Sequence, residues 1–418
     1  MFSLASKRST VFQEIGDAGA LSKFWARLSG TSAGVSVTED SALQHLAVWS
    51  CVDFVSSTLA QLPIQMFSTV ENNSVRQSGP LANLVRTEPN SHMTAFRLVQ
   101  LMQAQVLLYG NAYAWIERNN SFQPAAIWPL SPGKCRPRVG EGRTLTYEVR
   151  RDGDNPLEVP ALDIIHIPGF GYDGLEGLSA IRYARETIGM GMAATEFGAA
   201  FFGRGANSSM VVTHPGDLGP EAAARLGAQM DKTYGGLANA MKTMVLDEGM
   251  KLERISIPPE EAQFIETRKM NRGEIAGLFR VPPSMIGDWE RATWSNAEQG
   301  DLYVAKYTLA SWLRRWEDEL CRKLLSQRQK AQGVFFQFNL NALLRGDIKA
   351  RSEFYRVMKE GVMSPNEIRE KEDLPRLPGF DTPMVPANMN GTKPDATPGD
   401  HPTNDPPADP ANNDGMQA

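Results

Sequence analysis

The chain holds 418 residues, 42 % of them hydrophobic and 22 % charged, with 43 Lys and Arg against 48 Asp and Glu for a net charge of −5. That length exceeds the size at which a single core stops growing, so two or more domains are expected, and the acidic balance removes any bulk electrostatic drive to hold nucleic acid tightly. No run of about 18 apolar residues exists to span a membrane, and Cys51, Cys135 and Cys321, widely spaced and without a CxxC, argue against a disulfide framework and a zinc site and for a reducing compartment.

In chain order, residues 1–40 read as a flexible arm. Lys7 and Arg8 are followed by Gln13, Glu14 and Asp17, which denies a signal peptide its apolar core, and Gly30-Thr31-Ser32-Ala33-Gly34 marks a break. Within the arm, Leu21, Phe24, Trp25 and Leu28 form an amphipathic patch suited to docking on a partner. A helix is predicted over Leu43–Leu62, stopped by Pro63, and a strand over Ile64–Phe67. A second helix covers Thr94–Leu108. Short strands follow at Ala112–Ile116, Ala126–Trp128, Lys134–Val139, Thr144–Val149 and Asp163–Ile167. The grouping is α+β in character and not alternating βαβ.

The last of these strands runs into Gly169-Phe170-Gly171-Tyr172-Asp173-Gly174, a formal GxGxxG. A dinucleotide site needs the next helix to begin inside the glycine loop, with an acidic residue closing a second strand about 20 residues later. Here Glu176, Gly177 and Ser179 intervene, Asp173 would oppose the phosphates, and Glu196 falls inside a helix. The glycines are expected to form a turn.

A helix over 179–204 aligns Ile181, Ala184, Ile188, Met192, Thr195, Ala199 and Phe202, while its other faces carry Gly189, Gly191, Ala193, Ala194, Gly198 and Ala200. The glycines among them cost helix stability unless another backbone comes close, which the small residues allow. Residues 205–257 form an insertion with strands at Met210–Thr213, Met244–Leu246 and Leu252–Ile257 and a helix at Pro220–Tyr234. Its core is too small to stand alone, which points to packing against copies of itself. The next helix opens on Pro258-Pro259-Glu260-Glu261, has Arg268, Lys269, Arg272 and Arg280 towards its negative end, and stops at Val281-Pro282-Pro283. A Ser295-Asn296-Ala297-Glu298 capping box then starts a stripe of Leu302, Ala305, Leu309, Trp312, Trp316, Leu320 and Leu324. The stripe predicts one continuous strut to Lys330, roughly 50 Å long at 1.5 Å per residue.

Between the two helices lies a loop from Ser284 to Trp294 with two tryptophans and both signs of charge. It is either a helix connection whose tryptophans fold back on the core or a loop held out towards something it must touch, and nothing local decides. Further on, a strand is predicted at Val334–Phe338 and helices at Asp347–Lys359 and Pro365–Glu372; beyond Pro386 the chain lacks the apolar residues to fold. No catalytic constellation emerges. His45, His92, His166, His214 and His401 sit far apart, Asp53 beside Cys51 lacks a base, and there is no P-loop, GxSxG or HExxH.

Several strings resemble, in order, the portal proteins of tailed bacteriophages of the lambdoid, long-tailed type. They are Ala47–Val52 through Leu62-Pro63-Ile64, Leu108–Tyr113, Asp173–Ser179, Gln263–Arg268, Phe279–Gly287 and Asn366–Arg369. The resemblance covers residues 43 to 380. It implies a portal fold in which residues 1–40 are an arm, 41–178 a mixed α/β wing, 179–204 and 260–281 stem helices, 205–259 a clip, 282–296 a tunnel loop, 297–340 a long tunnel/wing helix and return strand, 341–385 a helical crown and 386–418 a disordered tail. Trp289, Glu290, Arg291, Ala292, Thr293, Trp294, Ser295 and Asn296 would then face DNA.

By the same resemblance the partners are other copies in a ring, typically of twelve, double-stranded DNA held weakly and without sequence preference, the terminase large subunit, a head–tail adaptor, and the major capsid and scaffolding proteins. The ring would sit at a unique vertex of the virion after assembly in the host cytoplasm, initiate procapsid assembly and serve as conduit for packaging and ejection, with no enzyme activity, cofactor or metal. The acidic balance suits a duct that must not grip phosphates. Two alternatives stand beside it: a nucleotide-dependent oxidoreductase resting on Gly169–Gly174, and a ring-forming head-completion scaffold that is not a portal.

Overall fold

The structure, a computed structural model, describes residues 30–70, 73–150, 155–203, 210–214, 216, 219–234, 249–254, 261–288, 300, 302–340, 348–359, 362–372 and 374–384. The chain divides into two units, Met1–Leu343 and Leu344–Ala418. In the first, the elements are α1 (Glu39–Ala42), α2 (Leu46–Gln61), β1 (Ile64–Val70), β2 (Asn73–Gln77), α3 (Pro80–Arg86), α4 (Ala95–Tyr109), β3 (Asn111–Arg118), β4 (Pro124–Leu130), β5 (Cys135–Val139), β6 (Leu145–Val149), β7 (Leu157–Pro160), β8 (Ile164–Pro168), α5 (Ala180–Tyr183) and α6 (Arg185–Gly203). They continue as β9 (Met210–Thr213), α7 (Pro220–Tyr234), β10 (Lys251–Arg254), α8 (Glu261–Leu278), a π-helical segment (Val304–Leu309), α9 (Ala310–Leu324), α10 (Gln327–Ala331) and β11 (Val334–Phe338). The second unit contributes α11 (Ile348–Met358) and α12 (Pro365–Lys371).

Strand alternation places the main core. Successive side chains of a strand point to opposite faces, so Ala112, Ala114 and Ile116 of β3 and Ile165 and Ile167 of β8 turn to the large core shared with α2, α4 and α9. Tyr113 and Ile164, one residue out of step, meet Cys135, Tyr147 and Val159 in a smaller core. The order β4-β3-β8 thus has both faces covered around its middle strand, one by helices and one by the sheet β5-β6-β7. A third sheet, β11-β1-β2, and the ribbon β10-β9 complete the set. Every strand pair among the described residues is antiparallel, in keeping with an α+β fold.

Helix α9 lies across the open edges of two sheets. An edge strand leaves amides and carbonyls unpaired, and these must be capped. On one flank of α9, the Glu319 carboxylate accepts from the His166 backbone amide of β8 at 3.2 Å, and the Arg315 guanidinium donates to the Pro168 carbonyl at 2.5 Å. On the opposite flank, Glu317 accepts from the Phe338 amide of β11 at 2.9 Å and Cys321 Sγ accepts from the Phe336 amide at 3.2 Å. Residues four apart share a helix face, so 315 with 319 and 317 with 321 form two polar rails beside the buried row Leu313, Trp316, Leu320 and Leu324. The Trp316 indole N–H donates to Gln103 Oε1 on α4 at 3.0 Å.

Several sequence expectations need correction. The strut is not one helix: its ladder widens to π over Val304–Leu309, and it ends where Leu325 turns extended (ψ 134°). Ser326 and Gln329 then form a capping box that opens α10. Because of the π widening, Val304, Thr308 and Leu309 face inward while Leu302, assigned to the buried stripe, is 59 % exposed. The helix over 179–204 breaks at Ala184 (ψ 13°) into α5 and α6. Two of its glycines have close neighbours within the chain: the Thr31 side chain lies against Gly189, and the Asn271 and His45 side chains lie against Gly191. Residues 30–36 are correspondingly an ordered turn, bridged between Gly30 and Ser36 and closed by Thr31 Oγ1 on the Val35 carbonyl at 2.8 Å. Asp53 is exposed and accepts from Ser57 Oγ at 3.0 Å. Within α8 the last turn holds no basic residue. The expected strand Met244–Leu246, the 258–260 helix start, the Ser295 capping box and residues 386–418 lie outside the described residues.

The second unit is small and capped. Ser364 and Glu367 close a capping box on α12, and the Asn366 side chain exchanges two 2.8 Å hydrogen bonds with the Leu377 backbone. Tyr355 on α11 donates to Glu372 at 2.5 Å.

Candidate functional site

The residues expected to meet DNA, Trp289, Glu290, Arg291, Ala292, Thr293, Trp294, Ser295 and Asn296, lie outside the described residues. What the structure shows is their mounting. Helix α8 ends in a Schellman motif, with the Arg280 amide on the Gly277 carbonyl at 3.0 Å and the Val281 amide on the Ala276 carbonyl at 2.9 Å. Position 280 takes the left-handed conformation (φ 55°) that this motif needs and that glycine usually supplies. Burial of Val281 and Ala276 anchors the turn. Pro282 and Pro283 cannot extend the helix. A single 3-10 turn follows over Pro283–Ile286, closed by the Asp288 amide on the Pro283 carbonyl at 3.1 Å.

The chain returns beside its point of departure. At Gly300 a side chain would sit 3.0 Å from the Met285 methyl group, and Thr308 Oγ1 donates to the Arg280 carbonyl at 2.5 Å. The two ends of the 289–299 segment are therefore pinned together at Met285–Gly300 and again at Arg280–Thr308. Exposed beside this base, Tyr303 and Tyr307 stand with ring centroids 4.9 Å apart, and Lys306 Nζ lies 5.3 Å from the Tyr307 ring. Sequence reasoning passed over these three. The signal was their spacing of three and four, which puts them on one exposed side of the helix.

Below the mounting, α9 is seated on a buried polar node. His166 stacks on Tyr113 with centroids 4.4 Å apart, faces the Tyr147 hydroxyl through Nδ1 at 3.1 Å, and faces Asn111 Oδ1 through Nε2 at 3.0 Å. Asn111 Nδ2 donates to the Gly177 carbonyl at 2.8 Å, so its Oδ1 is the acceptor. That fixes the imidazole with its proton on Nε2 and Tyr147 as donor to Nδ1. Burial, reinforced by Lys323 and Arg322, holds the His166 pKa at about 3. Lys323 is itself buried, hydrogen-bonded to the Ala161 carbonyl and 3.6 Å from Glu319, and burial lowers its pKa against the pull of that carboxylate.

The Gly169–Gly174 segment belongs to this node and not to a cofactor. Asp173 Oδ1 accepts from the Leu175 and Glu176 amides at 2.8 and 2.9 Å, taking up groups a pyrophosphate would need. Gly177 fits directly against the Gly110 carbonyl and Gly169, where any Cβ would overlap backbone. The helix starts only at Ala180, and neither β8 nor its neighbour β3 has a parallel partner among the described strands. The expected turn is what forms. Among the described residues no group of three His, Cys, Asp or Glu is placed to hold a metal.

A helix braced on two sheet edges, with the residues flanking the 289–299 segment pinned together ahead of it, is the layout of a scaffold element. The profile of the family described as "Phage portal protein" matches residues 46–373. The portal protein of Enterobacteria phage HK97 is 32 % identical over 355 residues, which cover 84 % of this chain and 83 % of its own. The probable portal protein of Streptomyces phage phiC31 is 32 % identical over 367 residues, covering 83 % and 78 %. A crystal structure of an HK97 family phage portal protein from Corynebacterium diphtheriae aligns with a TM-score of 0.54 at 16 % identity, covering 74 % of this chain and 97 % of that one. The neck of a native gene transfer agent particle, computed with C12 symmetry, aligns with a TM-score of 0.55 at 23 % identity, covering 80 % and 93 %. The chain belongs to the phage portal protein family, whose members are structural components of the virion.

Proposed function

We propose that copies of this chain close into a ring of twelve at one capsid vertex, through which double-stranded DNA passes during packaging and ejection. In this reading residues 41–178 form the wing, 179–204 and 260–281 the stem, 205–259 the clip, 282–296 the tunnel loop and 341–385 the crown; the terminase large subunit, a head–tail adaptor and the capsid and scaffolding proteins dock on the ring, which forms in the host cytoplasm and initiates the procapsid. The observation that carries it is the pinned base of the 289–299 segment, with Met285 against Gly300 and Thr308 on the Arg280 carbonyl. Such a base transmits load from the loop into α9 and from there to both sheets, as a loop pressed by a moving polymer demands.

The twelvefold count follows the C12 symmetry of the gene transfer agent neck. With −5 per subunit, the ring repels phosphate overall and leaves DNA contact to a few placed cations such as Arg291 and Lys306. Imaging purified assemblies down their axis tests the reading: a closed ring with an open pore is expected, and a monomer or a ring without a pore would overturn it.

A further inference from the structure

A groove of about 370 Å³ opens between α2, α6 and α8, with Leu46, Met190 and Ala199 among its apolar walls and Arg268 and Arg272 along one side. It is unfinished in two respects. Leu46 is 72 % exposed. On the floor Asn271, only 2 % exposed, donates through Nδ2 to the Thr187 carbonyl at 2.7 Å and lies beside His45, whose Nδ1 has no hydrogen-bond partner among the described residues. Burial, opposed by the Asn271 side chain and reinforced by Arg268 and Arg272, lowers the His45 pKa, so the neutral ring offers an acceptor. A groove whose apolar wall is left bare lacks an occupant carrying apolar side chains.

The described chain begins at the end of this groove. Gly30 bridges to Ser36, Ser32 donates its amide to Glu186 Oε2 at 3.0 Å on α6, and Val35 forms part of the wall. Leu28 is thus two residues from a fixed point, a reach of about 7 Å. Leu21, Phe24, Trp25 and Leu28 recur at helical spacing, with Ser22, Lys23, Ala26 and Arg27 on the other side. Eight residues of helix span about 12 Å and bring all four apolar side chains to one face. A segment tethered this closely acts at an effective concentration in the millimolar range.

We propose that residues 21–28 dock as an amphipathic helix into the α2–α6–α8 groove of their own subunit, laying their apolar face on Leu46 and Met190.

Trypsin provides the test, because Lys23 and Arg27 are cleavage sites inside the segment. In the full-length assembly, cleavage there is expected to be slow, and Leu46→Glu, a change at an exposed position, is expected to speed it about tenfold with the melting temperature unchanged. Equal cleavage rates in the two proteins would overturn the docking. A second measurement uses the pair Trp25→Cys with Leu46→Cys under mild oxidation. A disulfide-closed monomer on a non-reducing gel supports the proposal; a ladder of linked subunits shows the segment reaching a neighbour's groove, and no linkage shows it elsewhere, each of which overturns it.

Discussion

The Thr308 hydroxyl donates to the Arg280 carbonyl at 2.5 Å, joining the residue that ends α8 to the π-helical segment that precedes α9. Both halves of the pair carry an anomaly. Arg280 occupies left-handed backbone (φ 55°) without being glycine, and Thr308 sits in a ladder one residue too wide for an α-helix. The two departures from regular geometry meet at the base of the loop proposed to face DNA.

Replacing Thr308 by Val keeps the volume and removes the donor. The Arg280 carbonyl then loses a buried partner, and a cost of about 1–3 kcal/mol is expected. Thermal unfolding of the assembled protein should show it, together with faster proteolysis between residues 289 and 299. Arg280→Gly should act oppositely or not at all on stability, since the left-handed conformation costs a non-glycine residue about 1 kcal/mol and glycine's larger unfolded-state entropy offsets much of the relief.

The π segment makes a sharper prediction. A π turn is an α-helix with one residue inserted, often kept at functional positions. Deleting exposed Lys306 should return the segment to α geometry, because Val304 then stands three residues before Thr308 and four before Leu309, still on one face. Ring assembly and melting temperature are expected to change little. Deleting Arg314 instead would rotate Trp316, Leu320 and Leu324 by about 100° off the core and unfold the unit. If both deletions behave alike in a melting experiment, the π assignment fails.

His166 sets an acid limit. Its pKa falls from an ordinary 6.5 to about 3 on burial, so the neutral form is the one the fold accepts. Stability from this group is fully present above pH 6.5 and is lost as pH falls towards 3, up to roughly 5 kcal/mol in total. Denaturant midpoints measured from pH 7 to pH 4 should drop more steeply for the wild type than for His166→Phe. That variant starts lower because it leaves Tyr147 and Asn111 without their ring partners.

Much of the core was legible because apolar periodicity reports it directly. The alternation through Ala112, Ala114 and Ile116 and the row Trp316, Leu320, Leu324 both lie where their spacing puts them. The rails of α9 were not legible, since Arg315, Glu317, Glu319 and Cys321 read as an ordinary solvated face until the sheet edges they cap are in place. The break after Leu324 was written in the sequence as Ser326-Gln327-Arg328-Gln329, a capping box masked by the continuing helical composition around it. Arg280 escaped notice because the C-cap signal is glycine. The π widening leaves no local mark at all: one extra residue changes the phase of everything before it without changing any propensity.

The loop itself gives the last prediction. If Trp289–Asn296 meets a passing duplex, its side chains act on the sliding polymer while α6, α8 and α9 keep the fold and the ring. Replacing Arg291, Thr293 and Trp294 together by alanine should then leave melting temperature and subunit number as they are, yet reduce the DNA packaged or retained in a complementation assay. Tyr303, Lys306 and Tyr307, exposed beside the loop base, should behave likewise, with Lys306→Ala having its largest effect at low salt, because a phosphate contact weakens as counterions compete. Tryptophans folded back on a core would behave differently, costing about 3–5 kcal/mol each on truncation. A triple variant that unfolds or fails to close a ring would show that the loop is structural, and one that packages a full genome at the wild-type rate would show that DNA passes without touching it.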